Sequence, residues 1–420
     1  MRVLMLGWEF PPYFAGGVGM VCYELAKQLV SQGVKVDYVM PYAPDSVNPD
    51  FLTVTDASRH VTENEANLGG LSITRVPSLL AAYQTEEEYL TTLKSIGQGK
   101  GSSSSDHTRQ LYGENLLEEI DLFAKRMQVL INNGRFQDID VIHAHDWTTL
   151  RAGSVAKRLT GKPLIAHVHI TEVNKNNGLG VNAAVYDIER EGFFAADKII
   201  SVSHGIKQTL IDHYGIPAEK IEVIHNAGVK MDPVVHDGID FKGDHKVVSF
   251  LGRVTGMKGP EHFVDMAAKV LEHCPKTKFI MAGTGDKLQS CIDKAKNLGI
   301  YDKFYFHGFY NRQDANKFFD ISDVFVLPSH MEPFGVTPLE AMCKDTPTII
   351  TKQSGVSEVL NHCFKVDFWD VNKMASQVIS LLTFPKLHRL MKDNGRGEAN
   401  SLTWDKPAHH CLEVYHRLAA

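Results

Sequence analysis

The stretch His330-Met331-Glu332-Pro333-Phe334-Gly335-Val336-Thr337-Pro338-Leu339-Glu340-Ala341-Met342 decides how this chain is interpreted. It follows an apolar run, 323–328, that closes with a proline and predicts a buried strand. Pro338 suits the first turn of a helix, so we expect Glu332 in a strand-to-helix loop and Glu340 near the helix start. In an open α/β sheet such loops lie at the carboxyl ends of the strands, where ligands bind. Gly335 would let the backbone approach a ligand, and the amides at the helix start suit a phosphate. The alternative is that both glutamates are solvated surface charges.

Length and composition restrict the class of protein. At 420 residues the chain exceeds one ordinary core, so two domains are expected. Its 43% hydrophobic and 22% charged residues are typical of a soluble globular protein, and the net charge of -6 argues against nucleic acid as a partner. No apolar run reaches transmembrane length, and residues 1–7 predict a strand rather than a signal peptide; peripheral membrane contact stays open. Six scattered cysteines without a Cys-x-x-Cys spacing favour reduced thiols in a cytoplasmic protein.

The first forty residues predict the start of a doubly wound domain. A strand is expected at 2–7, a helix at 18–32 and a second strand at 34–40. Gly16, Gly17 and Gly19 lie between the first strand and the helix and would bring amides up to a phosphate. Their spacing does not match the Gly-x-Gly-x-x-Gly of NAD enzymes, and Asp37 comes too early for the acid that binds a dinucleotide ribose.

Two further strands each end in a pair of histidines. Alternation places His143 and His145 on one face of the strand that begins at 141, and His167 and His169 on one face of the strand that begins at 164. We expect His143 and His167 to satisfy core hydrogen bonds, whereas His145 and His169 come last on their strands. A zinc site is the alternative, but the two pairs need not converge and no cysteine joins them, so no metal is expected.

Two stretches before these histidines are not assigned to the site. Residues 97–106 are of low complexity and belong to an insertion that either shapes an acceptor site or is a tolerated surface loop. The triplet Asp138-Ile139-Asp140 has the Asp-x-Asp spacing of a motif that binds a divalent ion in some enzymes. Here it opens a strand, at the amino end and away from the expected site, so we interpret it as surface charge.

The second half of the chain repeats the alternation of strand and helix. Strands at 198–202 and 221–224 flank a helix capped by Ser203, and residues 228–245 predict a linker. From Lys246 a second domain of similar build is expected to extend to residue 400. Its first strand is followed by Arg253 and Lys258 among three glycines, which predicts an anion-binding loop. The alternative is two ordinary exposed basic residues.

The motifs together resemble retaining glycosyltransferases of the GT-B fold, the group of the glycogen and starch synthases and related bacterial sugar transferases. The similar strings are the Glu332–Glu340 stretch, His-Ala-His-Asp-Trp at 143–147 and Gly-Arg-x-x-x-x-Lys-Gly at 252–259. The resemblance implies an α/β fold of two Rossmann-like doubly wound domains that face each other across a crevice. It places the first domain at 1–227, rejoined by a helix at 401–420. Two departures stand out: Ala15 replaces the lysine that bacterial glycogen synthases carry before Gly16, and Ser354-Gly355 replaces a Gly-Gly pair.

The same resemblance implies a reaction and a set of roles. A hexose, with glucose expected, would pass from a nucleotide diphosphate-sugar such as UDP-glucose or ADP-glucose to an acceptor hydroxyl. The anomeric configuration would be retained, and neither a metal nor a cofactor would be needed. The implied catalytic residues are His169, Arg253, Lys258 and Glu332. The implied donor contacts are Gly16, Gly17, Arg253, Lys258, His307, Gly308, Gly335, Val336, Thr337 and Glu340, and the acceptor side holds His145 and Asp146.

Several other activities are compatible with the same sequence features. A nucleotide-sugar epimerase shares the two-domain build and would consume donor without an acceptor. A non-catalytic protein that binds nucleotide-sugars is a further alternative, and a glycan phosphorylase would need a pyridoxal-phosphate lysine and usually a longer chain. An α-glucan acceptor is suggested by the His-Ala-His-Asp-Trp string. The base of the donor, the linkage position and the oligomeric state do not follow from the sequence.

Overall fold

The fold is taken from a computed structural model, which describes residues 1–11, 17–43, 49–58, 116–175, 180–228, 231 and 241–419. These residues divide into two compact units, Met1–Ile224 together with Trp404–Ala420, and His225–Thr403. The first unit therefore ends at Ile224 rather than at 227, and the chain returns to it at Trp404 rather than at 401. The described part of the expected linker 228–245 belongs to the second unit, whereas the low-complexity stretch 97–106 lies outside the described residues.

The first unit is built on a parallel sheet of seven strands in the order β3-β2-β1-β4-β5-β6-β7. The strands are β1 (Arg2–Leu6), β2 (Lys35–Met40), β3 (Thr53–Asp56), β4 (Val141–His145), β5 (Leu164–Val168), β6 (Lys198–Ser201) and β7 (Ile221–Val223). The helices described in this unit are Gly17–Ser31, Leu116–Asn132, Trp147–Thr160, Glu172–Lys175, Ala183–Ala195, His204–Tyr214 and Asp405–Ala419. The two strands predicted by the histidine pairs both lie in this sheet, paired with each other.

The second unit repeats the plan with six parallel strands in the order β10-β9-β8-β11-β12-β13. Its strands are β8 (Lys246–Leu251), β9 (Thr277–Ala282), β10 (Phe304–Gly308), β11 (Val324–Leu327), β12 (Thr348–Thr351) and β13 (Phe364–Val366). Its helices are Pro260–His273, Leu288–Asn297, Arg312–Ile321, Thr337–Cys343, Val371–Thr383 and Pro385–Ser401. Both sheets have the order of a doubly wound fold, so the α/β class expected from the sequence is confirmed.

Local sequence explains where the site-bearing elements begin and end. Pro260 lies in the first turn of its helix, and Phe263, Met266, Ala267 and Val270 recur at helical spacing and are fully buried. In the first unit, Ser203 caps the helix His204–Tyr214, and its Oγ accepts a hydrogen bond of 3.2 Å from the Ile206 amide. The Pro338 helix, Thr337–Cys343, follows the buried strand β11 as predicted. Proline, caps and periodicity thus place the loops at the carboxyl ends of strands.

The Asp138-Ile139-Asp140 triplet lies at the amino ends of the strands of the first sheet, opposite the carboxyl ends where a site is expected. The Arg2 amide donates to the Asp140 carboxylate at 2.7 Å, and the Arg2 guanidinium pairs with Asp138 and Asp37. These contacts join the amino ends of β1, β2 and β4. The interpretation of the triplet as charge away from the site is confirmed.

Candidate functional site

In the second unit, two strand-end loops meet where the direction of chain winding reverses. β8 and β11 are neighbours, with Val324 opposite Val248 and Phe325 opposite Ser249, although helices and strands separate them in sequence. Their following loops carry Lys258 and Glu332 respectively. In a doubly wound sheet this reversal point is where ligands bind, outside the carboxyl ends of the strands.

Lys258 and Glu332 form an ion pair across these loops. The Lys258 ammonium donates to Glu332 Oε2, and the Ser329 hydroxyl lies 3.4 Å from the same oxygen. The two side chains are only 14% and 7% exposed, so the alternative of a solvated surface charge is wrong for Glu332. The carboxylate is held by a cation and a hydroxyl in a water-poor setting, where each interaction is stronger than at the surface.

Two glycines allow these loops to approach so closely. Gly259 has a φ of 62°, and a Cβ there would lie 2.1 Å from the Pro328 carbonyl oxygen. Gly335 has a φ of 96°, and a Cβ there would lie 2.8 Å from Glu332 Cγ. Residues with a side chain are strained at such φ values and would collide with these atoms. The glycine expected at 335 for close approach therefore also shapes the turn that presents Glu332.

The loop after β12 is joined to the Glu332 loop by its backbone. The Gly355 amide donates to the Glu332 carbonyl at 2.8 Å, and the Val356 amide donates to the Phe334 carbonyl at 2.7 Å. Ser354, the residue that replaces the first glycine of the expected pair, is 1% exposed and its Oγ lies 3.0 Å from Thr351 Oγ1. The Ser354 hydroxyl therefore contacts another residue of the same unit and stabilises the loop that is hydrogen-bonded to the Glu332 loop.

Four other residues that are expected to contact a donor, Arg253, Val336, Thr337 and Glu340, lie in the loops and the helix that follow β8 and β11. Arg253 is exposed in the loop after β8, and Val336 and Thr337 begin a helix of only seven residues. Glu340 in that helix is half-buried, and burial raises the pKa of its carboxyl while Arg312 lowers it. A helix this short adds its end amides but little accumulated dipole, so the positive charge of this edge comes mainly from the basic side chains.

His307 and Gly308 end β10, at the far side of the second sheet. Gly308 has a φ of 77°, and its carbonyl accepts a hydrogen bond of 2.7 Å from the Gly283 amide at the end of β9. His307 lies 3.1 Å from the Tyr305 hydroxyl through Nδ1 and 3.9 Å from Asp314 through Nε2. These contacts hold the histidine beside the carboxyl end of its strand, and its role beside a base stays a prediction.

In the first unit, four histidine rings stack in one buried ladder. His143 Nε2 lies 3.1 Å from His167 Nδ1, and His145 Nδ1 lies 3.0 Å from His169 Nε2. The ring planes of His145 and His169 are 13° apart. Burial lowers the pKa of all four imidazoles, that of His143 to about 3, so the ladder is neutral near pH 7. Alternation put each pair on one face, and the pairing of β4 with β5 brings the two pairs together.

One expectation about this ladder, that no cysteine joins it, is wrong. The pairs converge, and a cysteine joins them: ligand atoms of Cys22, His145 and His169 lie within 4.8 Å of one another, as do those of His143, His145 and His167. Sulfur and imidazole ligands are those that zinc takes. Burial raises the pKa of the Cys22 thiol above its ordinary value, however, and a metal would have to displace that proton. The absence of a metal from the function stays a prediction.

Asp146 contacts the histidine ladder through the backbone. Its Oδ1 accepts a hydrogen bond of 2.7 Å from the His169 amide, and its own amide donates to the His167 carbonyl at 2.9 Å. Asp146 is 2% exposed and has a φ of 56°, an uncommon conformation for a residue with a side chain. Asp146, which is expected on the acceptor side, therefore fixes the backbone of His169.

Tyr415 is a contact of the ladder that the sequence did not indicate. Its hydroxyl lies 2.6 Å from His143 Nδ1, and it comes from the helix Asp405–Ala419 that returns to the first unit. No local pattern could have identified it, since 272 positions separate the two residues. Gly17, expected at the donor phosphate, is exposed as the first residue of its helix, whereas Gly16 lies outside the described residues.

The part of the chain that the structure describes contains no helix with both the length and the apolar character needed to cross a bilayer. Its six cysteines are all free thiols.

Comparison with known proteins gives two family matches that together span more than half of the chain. Residues 234–398 match the family described as "Glycosyl transferases group 1", and residues 111–227 match "Glycosyltransferase Family 4". An uncharacterized glycosyltransferase of Methanocaldococcus jannaschii is 28% identical over 377 residues, 86% of this chain and 83% of that protein. The glycogen synthase of Mycobacterium tuberculosis is 24% identical over 422 residues, 99% of this chain and 94% of that protein.

Solved structures agree on the fold. The sucrose-phosphate synthase of Thermosynechococcus elongatus superposes with a TM-score of 0.68 at 18% identity, covering 99% of this chain and 98% of that chain. The fold of this chain is thus shared with a protein of low sequence identity. From the family matches and this likeness, the chain belongs to the glycosyltransferases of the GT-B fold, in the group of the glycogen synthases, and transfers a sugar from a nucleotide-sugar donor.

Proposed function

We propose that this protein transfers a hexose, glucose in the first instance, from a nucleotide diphosphate-sugar to an acceptor hydroxyl with retention at the anomeric carbon. The observation that carries the proposal is the buried pair of Lys258 and Glu332 at the reversal point of the second sheet. A cation and a carboxylate meet there at the edge where a doubly wound sheet binds its ligand. The cation matches the negative charge of a departing diphosphate, and the carboxylate matches the positive charge of an electron-poor sugar carbon.

The second unit would hold the donor. Arg253 and Lys258 would bind the diphosphate, since its departure builds negative charge that fixed cations stabilise. Glu332 would bind hydroxyls of the donor sugar or stabilise positive charge on its ring, and Lys258 passes to the phosphate as the donor arrives. Glu340 would accept hydrogen bonds from the ribose, and His307 with Gly308 would border the base. Backbone amides at Gly335, Val336 and Thr337 would complete the donor contacts in this unit.

The first unit would supply the histidines at the reacting carbon. His169 is neutral near pH 7 because burial lowers the pKa of its imidazole, and a neutral ring can accept a hydrogen bond from a sugar hydroxyl. His145 stacks on it and would lie towards the acceptor, while Asp146 holds the His169 amide. In the transfer, the bond from the anomeric carbon to the diphosphate breaks and the acceptor oxygen bonds to that carbon. The hydroxyl proton leaves with the diphosphate.

The activity is tested by release of nucleoside diphosphate from UDP-, ADP- and GDP-sugars, with and without maltooligosaccharide. We expect release from one donor that rises strongly with the glucan, and a first-formed product whose NMR spectrum shows the donor's anomeric configuration. Inversion would overturn the retaining assignment. Conversion of the donor to an isomeric nucleotide-sugar without diphosphate release would establish an epimerase instead. Tight binding of UDP or ADP with no turnover on any acceptor would indicate a non-catalytic binding protein.

A further inference from the structure

The described segment that follows β5 carries His169 at its first position and is tied down from several sides. Asp146 holds the His169 amide, as described above. Two residues later, the Thr171 hydroxyl donates to Asn174 Oδ1 at 2.7 Å, and the Asn174 amide group donates to the Thr209 hydroxyl at 3.0 Å. Between these contacts lies the Glu172 amide, which begins the short helix Glu172–Lys175. Its partner is a residue that none of the motifs includes.

That partner is Glu189, a fully buried carboxyl from the helix Ala183–Ala195. The Glu172 amide donates to both of its oxygens, at 2.9 and 3.1 Å, and the Tyr214 hydroxyl donates to one of them. Burial raises the pKa of Glu189 to about 8. A buried carboxyl is expensive in free energy, and an apolar residue would fill the same volume without that cost. The cost is offset here by satisfying the amide that follows the histidine strand.

The charges that face Glu189 come from two elements. From the segment after β5, Lys175 lowers its pKa and Glu172 raises it. Lys175 is itself paired with Glu172 at 2.8 Å, and both side chains are less than one tenth exposed. From the helix His204–Tyr214, the Tyr214 hydroxyl lowers the pKa of Glu189. The carboxyl therefore lies among one cation, one anion and one hydroxyl, all fixed by other contacts.

We infer that Glu189 is a positioning residue for His169, acting through the Glu172 amide and Tyr214 on the segment that leaves β5. The inference deepens the proposed function and rests on it, because His169 matters only if it lies beside the reacting sugar. The backbone is fixed on both sides of Ile170 and Thr171. Asp146 accepts from the His169 amide on one side, and Glu189 accepts from the Glu172 amide on the other. Small displacements of such a group are costly, since misplacement by 1 Å lowers turnover by about a hundredfold.

The arrangement has a consequence for pH. Below about pH 8 the buried carboxyl is protonated and carries no charge. As the pH rises through that value the carboxyl gains a charge that burial disfavours more than Tyr214, Lys175 and the Glu172 amide favour it, and this weakens the packing that holds the segment with His169. Turnover is expected to fall on the alkaline side for this reason. Glu189→Gln keeps the shape and an acceptor for the Glu172 amide but cannot ionise, so it should lose this alkaline fall.

The test compares Glu189→Ala, Glu189→Gln and the matched control Glu191→Gln, an exposed position on the same helix. Nucleoside-diphosphate release gives kcat and the donor KM from pH 6 to 10. We expect Glu189→Ala to lower kcat by roughly 10- to 100-fold with the donor KM within twofold, because the donor is held by the second unit. Glu189→Gln should stay near wild-type at pH 7 and hold its rate at pH 9, and Glu191→Gln should match wild-type throughout.

The outcomes separate this inference from the proposed function. An unchanged kcat in Glu189→Ala, or an alkaline fall in Glu189→Gln equal to that of the wild-type, overturns the inference. If Glu189→Ala does not fold, the alkaline side of the Glu189→Gln profile decides. His169→Ala is assayed in parallel: unchanged turnover there refutes the role of His169, and the inference falls with it. If no donor is turned over at all, the ring NMR signal of His169 decides, since it should move in Glu189→Ala and not in Glu191→Gln.

Discussion

Lys258→Ala separates the structural and chemical roles of one side chain. The substitution leaves the Glu332 carboxylate, 7% exposed at its side chain, without its cation. Removing one partner of a buried pair costs about 3 kcal/mol of the free energy of unfolding, because the remaining charge is uncompensated. For a unit of this size that corresponds to a fall of roughly 10 °C in melting temperature.

The effect on turnover follows from the leaving group. At an effective dielectric constant of about 20, a cation about 4 Å from a developing negative charge contributes about 4 kcal/mol. Since about 1.4 kcal/mol is a factor of ten in rate, Lys258→Ala should lower kcat by about three orders of magnitude. The assay is nucleoside-diphosphate release at saturating donor, with thermal unfolding measured on the same preparation.

Two further variants make the result decisive. Lys352→Ala is the matched control, because Lys352 pairs with Asp367 at 2.8 Å on the same unit but is 51% exposed. Such a surface pair contributes about 0–1 kcal/mol, so both the melting temperature and the turnover should stay near wild-type. The double variant Lys258→Ala with Glu332→Gln should regain much of the lost stability. Near-wild-type turnover in Lys258→Ala, or a double variant no more stable than the single one, would refute the reasoning.

Three other predictions test different parts of the structure. Gly335→Ala should lower the free energy of unfolding by about 1–2 kcal/mol, because alanine is strained at a φ of 96° and its Cβ would lie 2.8 Å from Glu332 Cγ. Urea unfolding measures this. The control is Gly397→Ala, where a Cβ meets nothing within 4 Å. The free energy of unfolding should fall as the pH drops from 6.5 towards 3, because burial lowers the pKa of the four ladder imidazoles. The unfolded chain then binds protons that the folded chain excludes. A urea midpoint that stays constant from pH 6.5 to 4.5 contradicts this. Exhaustive treatment with EDTA should leave turnover unchanged if the basic side chains neutralise the diphosphate, and a full loss that manganese restores would overturn that assignment.

Local patterns predicted most of the elements and the loops that carry the site. The strand before Glu332 and the helix after it lie where Pro328, Pro338 and the apolar spacing put them, because proline geometry and side-chain periodicity act within a few residues. The same holds for the histidine pairs, each of which alternation assigned to one face. The motif strings also indicated the family, which the comparisons then confirmed.

Interactions between distant parts of the chain did not follow from those patterns. The convergence of the two histidine pairs depends on the pairing of β4 with β5, and the approach of Cys22 depends on the packing of the helix Gly17–Ser31. The orienting contact from Asp146 to the His169 amide needs an uncommon backbone conformation that no spacing rule predicts. Glu189 was overlooked because a glutamate on a helix is usually solvated, and only its surroundings show that it is buried.

Local chemistry is enough to define the α/β class, the alternation of strands and helices, and the residues that end each strand. Which of those residues meet depends on how the strands and helices pack. Lys258 and Glu332 are 74 positions apart and form a pair because the order of strands makes β8 and β11 neighbours. Tyr415 contacts His143 because the last helix returns to the first unit. Strand order and helix return are set by packing across the whole chain, and the partners of each site residue are therefore a property of the fold.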